Sequence, residues 1–117
     1  MVKAIVVRGV NEAPEILNIT LRPVGDHDVR VRIVGAGVCH SDLSMINGTL
    51  SPHYPLVLGH EASGVIEEFG SAVTGLEVGQ GVVLNWAAPC RTCWFCENDQ
   101  PWLCSTIEGI TSLPGGT

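Results

Sequence analysis

The chain has 117 residues, the size of one folding unit with one core, and 45% of them are hydrophobic, which fits a globular protein and leaves no room for a second full domain. Twelve acidic residues against six basic ones give a net charge of -6 without a basic cluster, so a nucleic-acid partner is excluded: phosphate contacts need a concentrated Lys/Arg surface. No apolar run is long enough to span a bilayer, and the opening MVKAIVVRG lacks the extended apolar region and small-residue cleavage site of a secretory signal, which implies a cytoplasmic protein with no membrane partner.

Lys3 to Arg8 is β-branched and apolar, and Ile16 to Leu21 follows the polar turn Asn11 to Pro14, so the two runs predict a hairpin. From Val29 to Val38 a half-buried strand is expected, with Val29, Val31 and Ile33 on one face and Arg30 and Arg32 on the other. Gly35 and Gly37 interrupt that alternation and suggest a bulge or a close backbone approach just before Cys39. Ser41 to Ile46 fits a short helix capped near Ser41 or Asp42 and ended by Asn47-Gly48. Pro52 and Pro55 force an extended loop down to Gly59. Gly64 to Phe69 and Gly81 to Asn85 read as further strands, separated by turns at Gly70, Gly75 and Gly79. Short strands without a long helix between them predict an all-β barrel or sandwich rather than a parallel α/β sheet. Beyond Pro89 the composition changes to cysteines, tryptophans and polar residues, which marks a separate lobe at 89–105, and Thr111 to Thr117 has the composition of a loop.

Cys90-x2-Cys93-x2-Cys96-x7-Cys104 places three thiols within seven residues, and only a loop that turns back on itself can point them inward. Five cysteines in a secreted domain would suggest disulfides, but in a reducing cytosol this spacing favours a metal. Four thiolates around one zinc make a closed structural site, a staple for a lobe with few apolar residues. The sharper rival is an iron-sulfur cluster, since C-x2-C-x2-C also opens the bacterial ferredoxin run. Against it, the fourth cysteine follows after seven residues rather than three, and Ser105 stands where that run has proline.

Cys39-His40-Ser41-Asp42 follows a strand, and Gly59-His60-Glu61 follows the proline-bounded loop. Taken singly, a cysteine after a strand is more often a small core hydrophobe than a ligand, and a lone histidine is more often structural. Together, and upstream of the four-cysteine lobe, they carry more. The Gly-x-Gly-Val-Cys-His-Ser-Asp run at 35 to 42, Gly-His-Glu at 59 to 61, Gly64-Val65-Ile66 and the cysteine lobe resemble, in order and spacing, the zinc-dependent medium-chain alcohol dehydrogenase family.

The resemblance covers residues 1–117 and implies a GroES-like catalytic domain, a partly open β-barrel with short helices and a structural-zinc lobe. It implies Cys39 and His60 as ligands of a catalytic zinc, Ser41 as the hydroxyl receiving the substrate proton, and His40 at the cofactor pyrophosphate. Asp42 corresponds to the carboxylate that orients the histidine ligand, and Glu61 to a carboxylate that can approach the metal. Such a zinc, with one open position, acts as a Lewis acid on an alcohol oxygen, and hydride then leaves to NAD or NADP. Trp86 stands where the family has a bulky residue facing substrate, although plain core packing explains a tryptophan equally well. Leu50, His53 and Tyr54 lie on the loop expected to shape the pocket mouth. The substrate class implied is a small alcohol, aldehyde or ketone, and the full-length protein is expected to be a homo-oligomer.

The family's catalytic zinc takes two Cys and one His. With four thiols assigned to the lobe only Cys39 remains, so a third ligand is expected outside the chain. No Gly-x-Gly-x-x-Gly lies between a strand and a helix, so a nucleotide-binding domain of about 150 residues is also expected outside it, in a protein of roughly 340 to 380 residues, and the chain alone is expected to be inactive. Ser44 stands where many members have a proton-relaying histidine. Two other readings stand beside this one: a zinc-binding scaffold or subunit-contact module without catalysis, and the same fold acting on thiol adducts of formaldehyde or on polyols.

Overall fold

The computed structural model describes residues 1–50 and 53–106. Pro52 and the segment Thr111 to Thr117 lie outside the described residues. Strand β1 (Val2–Val7) turns through Asn11, which takes a φ of 60° that a short polar side chain tolerates, into β2 (Glu15–Ile19). The two pair antiparallel from Val2 opposite Ile19 to Val6 opposite Glu15, the hairpin that the two apolar runs predict. On the other edge of β1 lies β4 (Leu56–Val57), with Val7 opposite Leu56, where the sequence suggested only extended loop. Two residues flanked by Pro55 and Gly59 carry too little pattern to announce a strand.

The second sheet is built on β3 (Val29–Ala36), paired antiparallel with β5 (Ala62–Phe69), which pairs in turn with β6 (Gly81–Val83). The register shifts between Ile33 and Gly35, where the glycines predicted a bulge, and again between Arg30 and Val31. Gly64 is confined to glycine by close approach: a Cβ there would run into the carbonyl of Arg32 on the neighbouring strand. The order β2-β1-β4 and the order β3-β5-β6 form separate three-stranded sheets, so the strands do not close into a barrel among the described residues, in keeping with the partly open architecture expected.

The strands are shorter than their sequence patterns by one or two residues at several ends, and β3 stops at Ala36 rather than Val38. The expected burial of the β3 apolar face is corrected too. Val31 is half-buried, but Ile33 is 50% exposed, because alternation reports which side chains share a face, not whether anything covers it. The buried apolar residues are Val6, Val7, Met45, Leu56, Ile66 and Cys104. Helix α1 (His40–Ile46) is anchored at its C-terminal end, where Asn11 N–H donates to the Ile46 carbonyl at 2.7 Å and the Tyr54 hydroxyl donates to the Met45 carbonyl. Among the described residues no helix is long and apolar enough to cross a membrane.

Candidate metal centres

In the lobe, backbone turns replace a core. Cys90 Sγ accepts the N–H groups of Thr92 at 3.4 Å and Cys93 at 3.2 Å, and Cys90 N–H donates to Cys104 Sγ at 3.3 Å. Helix α2 (Trp94–Glu97) holds Cys96, and a turn through Asp99, at φ 58°, leads to a 3-10 turn (Pro101–Leu103) that delivers Cys104. Neither short helix buries a residue. The four Sγ atoms lie within 4.8 Å of one another, with Cys90 and Cys96 4.0 Å apart. A tetrahedral ion with Zn–S bonds of about 2.3 Å spaces its sulfurs about 3.8 Å apart, so the donor set fits one zinc-sized ion. Hydrogen bonds from the Thr106 hydroxyl and the Thr92 amide and hydroxyl pull Cys90 down to about 5, and the Cys96 amide leads those that lower Cys93 to about 7. Burial pushes Cys96 up to about 12. Two thiols are thus ready to ionise, whereas the third gives up its proton to a cation that replaces it.

The second cluster arises from the β3–β5 pairing. Ala36 stands opposite Ala62, and one further backbone bond, Gly37 N–H to the Glu61 carbonyl at 2.8 Å, continues the ladder and brings the segments bearing Cys39 and His60 together. Cys39, not Ser41 or Asp42 as the sequence suggested, is the N-cap of α1. Its Sγ accepts Ser41 N–H at 3.4 Å, and its own N–H donates to Asp42 Oδ2 at 3.0 Å, closing a capping box. A thiol is a poor cap beside serine or aspartate, which is why propensity passed over it.

Cys39 Sγ lies 3.1 Å from His60 Nε2, and Ser41 Oγ lies 2.7 Å from that sulfur and 3.5 Å from the same ring nitrogen. Asp42 Oδ1 stands 3.5 Å from His60 Nδ1, with both side chains largely buried and neither atom holding a hydrogen bond. Cys39, Asp42 and His60 therefore offer converging donor atoms within 4.8 Å. One carboxylate oxygen is committed to the helix cap and the other faces Nδ1, which leaves the thiol and Nε2 as the pair aimed at a shared point.

The remaining candidates divide by place. Glu61 is exposed beside Gly37 and outside this donor group. His40 is exposed, with Nδ1 3.3 Å from the Ser44 hydroxyl. Trp86 and His60 share a cavity of about 220 Å³ with Met45, Leu84 and Asn85. Leu50 and His53 are exposed and line none of the cavities beside His60, and Tyr54 spends its hydroxyl on α1. Met45 lies four residues after Ser41, the spacing that puts two side chains on one helix face, so that signal could have found it; Leu84 and Asn85 carried none beyond adjacency to Trp86. A separate groove beside Arg22 and Arg30 holds no candidate residue, and both guanidiniums are paired there.

Two three-stranded antiparallel sheets, with two clusters of potential ligand atoms, are the arrangement of a GroES-like domain. Residues 25–117 match the alcohol dehydrogenase GroES-like domain, and the chain belongs to that family. It is 38% identical over 114 residues to an NDMA-dependent alcohol dehydrogenase of Amycolatopsis methanolica, a match covering 97% of the chain and 30% of that protein. It is 39% identical over 103 residues to an S-(hydroxymethyl)glutathione dehydrogenase of Komagataella pastoris, covering 85% of the chain and 27% of that protein. The crystal structure of an alcohol dehydrogenase from Aeropyrum pernix superposes with a TM-score of 0.84 at 37% identity, over 98% of the chain and 35% of the other. The chain thus spans about a third or less of the length of the curated relatives it matches.

Proposed function

We propose that the chain is the metal-binding part of a zinc-dependent alcohol dehydrogenase that interconverts an alcohol and an aldehyde or ketone with NAD or NADP. The observation that carries this reading is the approach of Cys39 Sγ to His60 Nε2 at 3.1 Å, backed by Asp42. Cys39 and His60 are the ligands of the catalytic zinc, and Cys90, Cys93, Cys96 and Cys104 hold a structural one. The tight packing of those four sulfurs supports a single ion over an iron-sulfur cluster, whose several irons spread their thiolates wider.

A zinc bound at Cys39 and His60 supplies Lewis acidity toward a substrate oxygen, lowering the pKa of its hydroxyl. The chain's own residues do the rest. Asp42 holds the His60 ring so that Nδ1 faces the carboxylate and Nε2 faces Cys39. Ser41, whose hydroxyl lies beside both ligand atoms, is the first acceptor for the alcohol proton. His40 hydrogen-bonds Ser44 and stands exposed for the cofactor's phosphates, and with Ser44 in the place of a relaying histidine the proton leaves Ser41 to water. Glu61, on the surface pocket beside His60, is a carboxylate that would approach the metal only by moving toward it, and Trp86 closes one side of the substrate cavity. A cytoplasmic location and a homo-oligomeric assembly belong to the same reading.

Cobalt(II) titration tests it. In the full-length protein, which supplies the third ligand, two ions per chain are expected, one lost in Cys39→Ser/His60→Ala and the other in Cys90→Ser/Cys93→Ser, each with its own visible spectrum. A Cys39→Ser/His60→Ala chain that binds the same two ions with unchanged spectra would defeat the assignment.

A further inference from the structure

The two glycines of the run that leads to Cys39 differ in what surrounds them. Neither Gly35 nor Gly37 takes a positive φ, so backbone conformation alone asks for glycine at neither place. A Cβ on Gly35 would rest 3.5 Å from Ser63 Oγ, an ordinary contact. A Cβ on Gly37 would overlap Glu61 Oε2 and press on the Cβ and Cδ of the same residue at 3.2 and 3.4 Å. Its three nearest atoms thus all belong to one flexible side chain, whereas a Cβ on Gly64 or Gly70 would run into backbone carbonyls that cannot step aside.

The room left by the missing side chain of Gly37 is therefore filled by the carboxylate end of Glu61. The two backbones are tied together there, Gly37 N–H donating to the Glu61 carbonyl at 2.8 Å, so the carboxylate leaves that place only by turning about its own side-chain bonds. The residue before it is His60, whose Nε2 lies 3.1 Å from Cys39 Sγ, and Gly37, His60 and Glu61 line one cavity of about 420 Å³. In its present place the carboxylate stays outside the converging donor group of Cys39, Asp42 and His60. A catalytic zinc keeps one coordination position open, and an anion tethered next to one of its ligands is able to close it.

We propose that Gly37 is a positioning residue of the metal site: the room it leaves holds the Glu61 carboxylate clear of the metal and so keeps a coordination position open. This rests on the dehydrogenase reading above, since the metal concerned is the one assigned to Cys39 and His60. A methyl group at position 37 takes that room away, and the cheapest response is a turn of the Glu61 side chain rather than a shift of the strand ends. Among the places left to it, the carboxylate gains most beside the cation, where it competes with any neutral oxygen or nitrogen ligand.

The test uses the full-length protein loaded with cobalt(II), with imidazole as a neutral probe of the open position, read from the visible spectrum. Gly37→Ala is expected to weaken imidazole binding about threefold to tenfold, the worth of moving one side chain off its preferred rotamer, and to alter the cobalt spectrum before any imidazole is added. Glu61→Gln keeps the shape of that side chain without its negative charge, so Gly37→Ala/Glu61→Gln should bind imidazole as Glu61→Gln alone does. Gly35→Ala is the control and should match the parent protein. An unchanged Gly37→Ala would overturn the inference, and so would a loss of the same size in the Glu61→Gln background, which would show a distorted site rather than a displaced carboxylate. A Gly37→Ala protein that does not fold would overturn it as well: rescue by Glu61→Ala would mean that the carboxylate cannot leave its place, and no rescue would mean that the backbone itself requires glycine. Absence of any cobalt site that Cys39→Ser/His60→Ala removes overturns the dehydrogenase reading; such a site, present but indifferent to position 37, overturns the positioning role alone.

Discussion

Asp42 uses its two carboxylate oxygens on two different structures: Oδ2 caps the first turn of α1 through Cys39 N–H, and Oδ1 faces Nδ1 of His60 across the cluster. Cys39 is thus at once the residue being capped and a donor atom of the site. The start of the helix and the aim of the histidine are fixed by one side chain.

Asn at position 42 separates these roles. Its single carbonyl oxygen can keep the bond to Cys39 N–H, but the amide then presents N–H to His60 Nδ1 and favours the tautomer protonated on Nε2, which cannot bind a metal. Asp42→Asn is expected to lower cobalt(II) affinity at Cys39 and His60 by about 10- to 100-fold with little loss of stability. Asp42→Ala should lower it as well and also destabilise the fold by about 1 kcal/mol through the lost cap. Metal titration and urea unfolding check both; equal stability loss in the two variants would contradict the division of labour.

Ile66 is 1% exposed in the middle of β5, whereas Ile33 on the neighbouring strand is 50% exposed. Ile66→Ala should cost about 2–5 kcal/mol, a large part of what holds a domain of this size together, and Ile33→Ala less than about 1 kcal/mol. Urea midpoints at constant slope are the measurement. Comparable costs at the two sites would mean that Ile33 is covered in solution.

The β-branched runs and the glycine punctuation made the main strands legible and thiol spacing the four-cysteine cluster, because these are properties of neighbours in sequence; Cys39 and His60, 21 residues apart, are singled out together only by the family resemblance. What escaped depended on partners distant in sequence. Strand β4 exists because Val6 and Val7 offer it an edge, and the second bulge, at Arg30, exists because β5 carries an extra residue opposite it. Cys39 as a cap escaped because Asp42, not the thiol's own propensity, makes the box. The cleft that Trp102 forms with Asn85 and Trp86 needed the lobe to fold back, a juxtaposition that no window of sequence contains.

Asp28 gives the acid side of the stability profile. The Gly25 N–H at 2.8 Å and, after it, the Arg22 guanidinium hold its carboxyl below the usual range. A depressed folded-state pKa contributes stability that is fully present above the unfolded value of about 4 and is lost as pH falls through the folded one. Asp28→Asn should therefore be less stable than the parent chain at pH 6, with the difference shrinking toward pH 3. A deficit of the same size at both pH values would show that packing, not charge, accounts for it.

The lobe has no core of its own: Cys104 is its only buried side chain among the described residues, and the Trp94 and Phe95 rings meet edge to face at 5.4 Å near the surface. On the proposed reading its order comes from an ion shared by the four sulfurs, with metal-binding energy serving as local folding energy. Stripping the metal with a chelator is expected to abolish hydrogen-exchange protection at Asn98, Gln100 and Cys104, whose N–H groups bond within the lobe, while Ile66 and Leu58 in the sheets stay protected. Cys104→Ser should behave as a weaker chelator treatment, since a hydroxyl is a poor substitute for a thiolate, and added zinc should restore protection only at higher concentration. Protection that survives complete metal removal would mean that the N–H to sulfur turns hold the lobe unaided, and the zinc would then be a passenger in it.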